Sequence, residues 1–350
     1  MNDMKLFKLL SILSIGGLAA TLTSCKNADI SFPDYEGGVS VYFPYQYPVR
    51  TIVLGEDTYD TTLDNLHKCK IFATMGGAYN GRDIKLEIAV DNTLCDNLYF
   101  EDGSEVMPMP EGHYSLASNN IFFNGGFQGG VEVQLSDAFF ADPAALKNTY
   151  VIPLVIKKQT GADRILSGKP IIEGDTPQRP NSAYWDIKPM DYVLYCVKYI
   201  NPYHAYYLRR GIDVVTENGV TTTEVRHKQS VEEDEICSTT TKTLNSVIFP
   251  LTTKYTDENG TPKNLKCDLL LTFNEKGECT ITSDTEGVTA TGTGKYLKKS
   301  EIKAWGNKDR DGLYMDYRVD FGVKQLQTKD TLVWQRRGVK PEEFTPKYVE

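Results

Sequence analysis

The sequence has 350 residues, of which 38 are Lys or Arg and 47 are Asp or Glu, so its formal net charge is −9. A surplus of negative charge argues against nucleic-acid binding, which depends on cationic patches, and against polybasic attachment to anionic lipid. With 40% hydrophobic residues the chain can bury sizeable cores, and its length indicates about two domains.

Residues 1–24 have the pattern of a bacterial signal peptide. Two lysines precede the apolar run Leu9–Leu22, which is shorter than the roughly 20 residues that a membrane span needs. The run ends in Leu22-Thr23-Ser24-Cys25, which resembles the bacterial lipoprotein box; a secretory peptide with an incidental cysteine is the alternative. We expect residues 1–24 to be removed and Cys25 to carry acyl chains such as palmitate, which would anchor the protein to the outer membrane.

Residues 25–37 are predicted to form a flexible tether. Three acidic residues in it, Asp29, Asp34 and Glu36, resemble the surface-export signal of Bacteroidota lipoproteins. The resemblance implies a position at the cell surface, and the periplasmic face of the outer membrane stays open as the alternative.

Residues 38–160 consist mainly of short strand patterns. The segments are rich in β-branched and aromatic residues and are separated by Gly, Asn, Asp and Pro. In the clearest segment, alternate positions from Ile84 to Val90 place apolar side chains on one face. About seven such strands predict an immunoglobulin-like β-sandwich. One helical turn is expected over 137–147, where Asp142-Pro143 suits a helix start.

Residues 161–189, punctuated by Gly and Pro, are predicted to form a junction in which Trp185 seals the interface between two domains. Residues 190–350 return to strand patterns, with tight-turn residues at Asn259-Gly260 and Glu275–Gly277. Hairpin-length connections predict a meander that closes into an antiparallel β-barrel of calycin or lipocalin type. The predicted fold class is therefore all-β.

Seven cysteines occur, and six remain when Cys25 is set aside. An even number in an exported protein permits disulfides, and Cys267 with Cys279 is the first choice because the two lie on adjacent predicted strands. Buried free thiols within apolar strands are the alternative.

Catalytic and metal-binding motifs are scarce. The sequence has neither a GxSxG elbow nor an HExxH helix, and its four histidines are isolated, so we expect no metal and no cofactor. The segment Asn307–Arg318 partly matches a calcium loop, but it lacks the closing Glu, which favours a turn over a cation site. Composition leaves a glycosidase carboxylate pair open, although no motif favours a hydrolase.

Aromatic residues are the remaining signal, at 11% of the chain with 21 Tyr. Exposed Tyr and Trp can stack on the C–H faces of sugars, and neighbouring Asn and Asp can bind hydroxyls. Packing within sheets is the competing explanation for any one aromatic residue. The candidate ligand-binding residues are Trp305, Asn307, Asp309, Tyr203 and Tyr206.

The order of several segments resembles Bacteroidota surface lipoproteins of the SusE-like type, which are encoded beside the SusC/SusD glycan-import pair. The matching segments are Asp34-Tyr35, Val41–Phe43, Ile84–Asp91, Pro110–Leu116, Asn120–Phe122, Tyr150–Ile156, Tyr206–Gly211, Gly292–Tyr296 and Trp305–Asp311. The resemblance implies an immunoglobulin-like N-terminal domain of unknown function followed by a lipocalin-like domain, and it carries no binding-residue motif.

These observations together predict a non-catalytic outer-membrane lipoprotein. Its expected ligand is a polysaccharide or oligosaccharide, held for uptake by a SusC/SusD-type transporter complex. The alternative is a scaffold lipoprotein that docks with an outer-membrane protein partner. An open aromatic surface flanked by polar side chains would favour the glycan, and a broad apolar patch would favour the protein partner.

Overall fold

The computed structural model describes residues 37–77, 82–257 and 259–349. The predicted signal peptide, the lipidation site Cys25 and nearly all of the tether lie outside these residues. Within them the chain is built mainly of β-strands, so the all-β prediction is confirmed. In the same ranges, no helix has both the length and the apolar character that crossing a bilayer requires.

The N-terminal half is a sandwich of two sheets. The first sheet has the order β11-β1-β3-β9-β7. Its strands are β1 (Ser40–Tyr42), β3 (Lys68–Gly76), β7 (Tyr114–Leu116), β9 (Gln128–Leu135) and β11 (Arg164–Ile165). Alternation in β3 turns Cys69, Ile71 and Ala73 inward, where each is buried.

The second sheet of the sandwich has the order β25-β2-β14-β10-β4-β8, with β6 pairing to β10. Its strands are β2 (Pro48–Val53), β4 (Lys85–Val90), β6 (Met107–Pro108), β8 (Asn120–Phe122), β10 (Tyr150–Thr160), β14 (Tyr192–Ile200) and β25 (Glu342–Glu343). Two short pairs lie outside these sheets: β5 (Leu98–Tyr99) with β26 (Lys347–Tyr348), and β12 (Lys169–Pro170) with β13 (Trp185–Ile187).

Helical structure is confined to short pieces. The α-helices of the described chain are α1 (Thr62–Asn65) and α2 (Asp137–Ala141), and its 3₁₀ turns are Asn92–Cys95, Glu111–His113, Pro143–Leu146, Ser182–Tyr184 and Val231–Glu233. The helical segment predicted over 137–147 is present as α2 and a 3₁₀ turn. Asp142 caps the turn by accepting a hydrogen bond from the Ala144 amide at 2.8 Å, and Pro143 follows it.

The domain boundaries differ from the predicted division at 161–189 and 190–350. Strand β14 pairs antiparallel with β10 and parallel with β2, so it belongs to the sandwich. Val193 and Val197 on one face join the main core, while Leu194 and Cys196 on the other join a second core that Phe344 completes. A strand with apolar side chains on both faces is suited to the centre of a sheet.

The C-terminal half is one long antiparallel sheet with the order β16-β15-β24-β23-β22-β21-β20-β19-β18. Its strands are β15 (Tyr206–Glu217), β16 (Val220–Arg226), β17 (Glu235–Ser238), β18 (Thr240–Thr243), β19 (Ser246–Thr256), β20 (Pro262–Phe273), β21 (Glu278–Ser283), β22 (Thr289–Trp305), β23 (Lys308–Asp320) and β24 (Lys324–Arg336). Thr239 separates β17, which pairs with β15, from β18, which pairs with β19. The continuous segment 235–243 therefore pairs with β15 near one edge of the sheet and with β19 at the other, so the sheet is curled.

The inner face of this curled sheet combines an apolar core with a buried ionic network. Asp330, whose side chain is fully buried, accepts hydrogen bonds from Arg209, Arg226 and Tyr317. Gly211 lies beside it, and a Cβ at that position would be 2.5 Å from an Asp330 carboxylate oxygen. The network therefore links β15 to β24, and a residue larger than glycine at position 211 would collide with the Asp330 carboxylate.

The predicted Cys267–Cys279 disulfide is wrong, because the register of β20 and β21 separates the two residues. Cys279 lies opposite Phe273, while the Cys267 sulfur is 3.2 Å from the Ser283 hydroxyl at the far end of β21. At roughly 3.3 Å per residue along a strand, this separation is well beyond the approximately 7 Å between Cα atoms that a disulfide spans. The six cysteines of the described residues are all free.

We expect these thiols to react slowly while the protein is folded. Burial raises the pKa of Cys95, Cys196 and Cys279 to about 12, so the reactive thiolate is scarce at pH 8. Thiol titration with Ellman's reagent should be slow in buffer. It should be rapid in about 6 M guanidinium, because unfolding exposes the thiols. A gel band that shifts only after reduction would contradict this assignment of free cysteines.

Candidate functional site

The β22–β23 hairpin brings three of the predicted site residues to one place. Trp305 pairs with Lys308 across a two-residue turn formed by Gly306 and Asn307, both with positive φ. Such turns match the right-handed twist of the flanking strands, and Gly and Asn tolerate the conformation best. Asn307 is exposed at the tip of the turn, and Asp309 follows on β23.

Trp305 and Trp334 both lie close to the guanidinium of Arg310. The guanidinium carbon of Arg310 lies 3.6 Å from the centre of the Trp305 ring and 5.8 Å from that of Trp334. The indole N–H of Trp305 donates to the Trp334 carbonyl oxygen at 3.0 Å. One face of Trp305 is thus covered by a cation, so this residue supports the site and Trp334 lines it.

A cavity of about 160 Å³ lies where this hairpin meets the sandwich, and we call it the junction cleft. The curled sheet and the loop after β2 both contribute to it. Its lining residues are Glu56, Asp57, Thr58, Lys299, Asp309, Arg310, Asp311 and Trp334.

Two carboxylates of the cleft are fixed by bulges in β22. Asp311 accepts hydrogen bonds from the Tyr296 hydroxyl at 2.6 Å and from the Lys299 amide at 2.8 Å. Asp309 accepts one from the Lys303 amide at 2.9 Å. The pairing of β22 with β23 shifts register on both sides of Glu301, which is how bulges redirect side chains at the end of a sheet.

An ion pair links the two domains at the edge of the cleft. The Glu56 carboxylate lies 2.8 Å from the Lys298 ammonium, and their hydrogen bond holds the pKa of Glu56 below its ordinary value. Both side chains are exposed, so the pair contributes little to stability. The Glu56 carboxylate, which lines the cleft, is therefore already paired with a cation.

Tyr203 and Tyr206, the other two predicted site residues, lie away from the cleft lining. Tyr203 is stacked on Phe273 with ring centres 3.6 Å apart, half-buried against the core of the curled sheet. Tyr206 lies under Arg336, whose guanidinium carbon is 4.4 Å from the ring centre. Tyr203 therefore has a packing role, while Tyr206 is exposed at the surface beside Arg336 and does not line the junction cleft.

Sequence reasoning missed Glu56 and Trp334 as members of the site. Trp334 is at an alternating position of a predicted strand, and nothing local distinguishes it from a core residue. Glu56 comes from the other domain, so no spacing in the sequence connects it to Asp309. Among the described residues, no group of three or more His, Cys, Asp or Glu side chains is arranged to hold a metal ion.

A second cavity, which we call the sandwich groove, lies on the flank of the N-terminal domain. Its volume is about 400 Å³, and its lining is more apolar than that of the junction cleft. Tyr45 and Phe72 are exposed in it, with Arg50 and Gln128 beside them. It is the main competitor of the junction cleft as a place for an extended ligand.

Comparisons with known proteins match both halves of the chain. A family model described as an N-terminal domain matches residues 34–163, and the domain of unknown function DUF5627 matches residues 202–338. The second match begins directly after β14, where the structure places the domain boundary. None of the curated proteins matches the chain.

Two solved structures from Bacteroides ovatus are similar to the chain. One, from strain ATCC 8483 and provisionally described as carbohydrate binding, has 12% identity and a TM-score of 0.26 over 80% of each chain. These values are too low to indicate a shared fold or function. The other, a crystal structure of a protein of unknown function, has 43% identity and a TM-score of 0.84, covering 91% of this chain and 100% of that one. The chain belongs to the family of this second Bacteroides ovatus protein.

Proposed function

We propose that the protein is a non-catalytic binding protein for a polysaccharide or oligosaccharide and that it holds a sugar ring in the junction cleft. The observation that carries the proposal is the juxtaposition of Trp334 with Arg310 and two fixed carboxylates, Asp309 and Asp311, in a cleft between domains. Clefts that join an apolar surface to a few convergent polar groups are the usual form of small-ligand sites.

The chemistry of the lining suits a carbohydrate. An indole offers a flat apolar surface to the C–H face of a pyranose, and carboxylates accept hydrogen bonds from its hydroxyls. Lys299 and Arg310 add donors on the same wall. A cavity of about 160 Å³ is smaller than the roughly 300–1,000 Å³ of drug-sized sites, which favours one ring of a chain over a whole oligosaccharide.

The hydrogen bonds that the cleft carboxylates already accept from the backbone favour ligand binding without catalysis. Asp309 and Asp311 hold the bulged backbone of β22 at Lys303 and Lys299. A catalytic acid and base would need freedom to exchange protons with the substrate. The sequence adds no nucleophile or metal motif.

The cellular setting that we propose is that of a SusE-like surface lipoprotein acting with a SusC/SusD-type complex. The support is the sequence pattern before Cys25 and the acidic residues that follow it. A docking role remains the second candidate, since Ile212, Val214 and Val225 are exposed on the β15–β16 hairpin, with Ile212 opposite Val225.

The lipid anchor can be tested directly. Replacing Cys25 with serine removes the thiol that would be acylated, so we expect the variant to lose metabolic labelling with palmitate and to leave the membrane fraction. Cys267→Ser is the matched control and should keep both properties. Equal labelling of the Cys25→Ser variant and the natural protein would contradict lipidation at this residue.

The proposed function is tested by calorimetry of the detergent-solubilised protein against a panel of neutral and acidic polysaccharides. We expect at least one to bind with a measurable enthalpy. If none binds, the glycan proposal fails and the docking role becomes the better account.

A further inference from the structure

A third cavity lies at the domain junction, under the segment that follows β24, and we call it the tail cavity. Its volume is about 500 Å³. Thr51 and Lys198, opposite each other on β2 and β14, line it from the sandwich. Arg337, Lys340 and His204 line it from the other side.

Arg337 brings a buried positive charge to this cavity. The residue is 2% exposed, and its guanidinium donates to the carbonyl oxygens of Leu54 at 3.0 Å and Asn201 at 2.5 Å. No carboxylate of the described chain forms an ion pair with it, and its Nε has no hydrogen-bond partner there. Burial lowers the pKa of Arg337, but a guanidinium stays protonated. Its charge is compensated by carbonyl dipoles and, at longer range than an ion pair, by the Asp57 carboxylate.

The other charged residues that line the tail cavity do not cancel the charge of Arg337. Lys198 and Glu342 neutralise each other through a 2.7 Å ion pair. Lys340 is exposed and forms no ion pair with the described carboxylates. The lining therefore carries a positive surplus, in a chain whose net charge is −9.

His204 adds a neutral donor. Its Nδ1 accepts a hydrogen bond from the Thr241 amide at 3.1 Å, so the ring proton is on Nε2, which has no partner among the described residues. Burial, aided by the nearby charge of Arg337, lowers the pKa of His204 to about 4, and the ring stays neutral near pH 7. The backbone amides of 338–340 likewise lack partners within the described ranges, and such amides serve in anion sites.

We propose that the tail cavity binds an oxyanion: a carboxylate, sulfate or phosphate group, either on an acidic saccharide or as a free ion. The unpaired charges of Arg337 and Lys340 supply the attraction. The His204 N–H supplies a directed hydrogen bond. This site is separate from the junction cleft and does not depend on the function proposed for it.

The test is calorimetry of the full protein at low ionic strength with four probes: sodium sulfate, inorganic phosphate, galacturonate and neutral galactose. We expect the anions to bind and galactose not to bind. Tighter binding of galacturonate than of the inorganic ions would assign the oxyanion to a saccharide, and the reverse would assign it to a free ion. Failure of all three anions to bind, or galactose binding as tightly as galacturonate, would overturn the proposal.

Two lysine variants locate the site. Lys340→Gln removes one unpaired charge from the tail cavity and should weaken anion binding about tenfold, as expected for losing one charged contact. Lys276→Gln removes the same charge from an exposed turn and should leave the affinity unchanged. Equal affinities for the two variants would overturn the assignment to this cavity. Arg337 is kept in these tests because it ties the two domains together.

Discussion

Replacing Asp330 with alanine should lower the free energy of unfolding by about 3–5 kcal/mol, the usual cost of removing one partner from a buried ion pair. The substitution removes the buried carboxylate that the guanidinium groups of Arg209 and Arg226 both contact, although Arg226 keeps its ion pair with Asp213. The Tyr317 hydroxyl loses its acceptor as well. Guanidinium denaturation followed by circular dichroism measures the change.

Asp316→Ala is the matched control on the neighbouring strand. Asp316 is half-exposed and lies 3.5 Å from the Lys329 ammonium, so its loss should cost at most about 1 kcal/mol. Similar losses of stability for the two variants would mean that the buried network does not organise the curled sheet.

Replacing Trp334 with alanine should weaken glycan binding at least about tenfold, because burial of a large apolar side chain against a ligand contributes about 1.5–3 kcal/mol. Trp334 lines the junction cleft, and its removal also takes one wall from Arg310. The measurement is calorimetry with the best polysaccharide of the panel. Circular dichroism of the variant checks that the fold is kept.

Trp185→Ala is the control, since Trp185 lies on β13, between two strands of the sandwich, and does not line the junction cleft. It donates its indole N–H to the Gln178 carbonyl oxygen at 3.1 Å. Its loss should leave affinity unchanged. Trp305→Ala should weaken binding less than Trp334→Ala, because Trp305 acts through Arg310. Unchanged affinity in the Trp334 variant would remove the junction cleft from consideration as the glycan site.

Local patterns in the sequence are sufficient to locate the strands, but they do not identify which strands pair with each other. Alternating apolar residues identify β4, and Leu86 and Ile88 are buried as the alternation predicts. The pattern of β14 is equally clear, yet it does not tell which sheet takes the strand. Register is likewise set by pairing over the whole sheet, which is why Cys267 and Cys279 were paired incorrectly.

In the candidate site, too, residues close in sequence could be predicted to lie together, whereas residues from different domains could not. Trp305, Asn307 and Asp309 are neighbours because a two-residue turn joins their strands, and the sequence is enough to see this. Glu56 reaches the cleft only through the packing of two domains. Aromatic content was misleading at Tyr203, because a ring in a strand-rich chain has the same sequence signal whether it is stacked in the core or open to a ligand.

The most direct test of the central claim is a crystal structure of the protein with an oligosaccharide of the polysaccharide that binds in the panel. We expect a sugar ring in the junction cleft, in van der Waals contact with Trp334 and with hydroxyls within hydrogen-bond distance of Asp309 or Asp311. Saccharide density in the sandwich groove beside Tyr45 and Phe72, with an empty junction cleft, would contradict it.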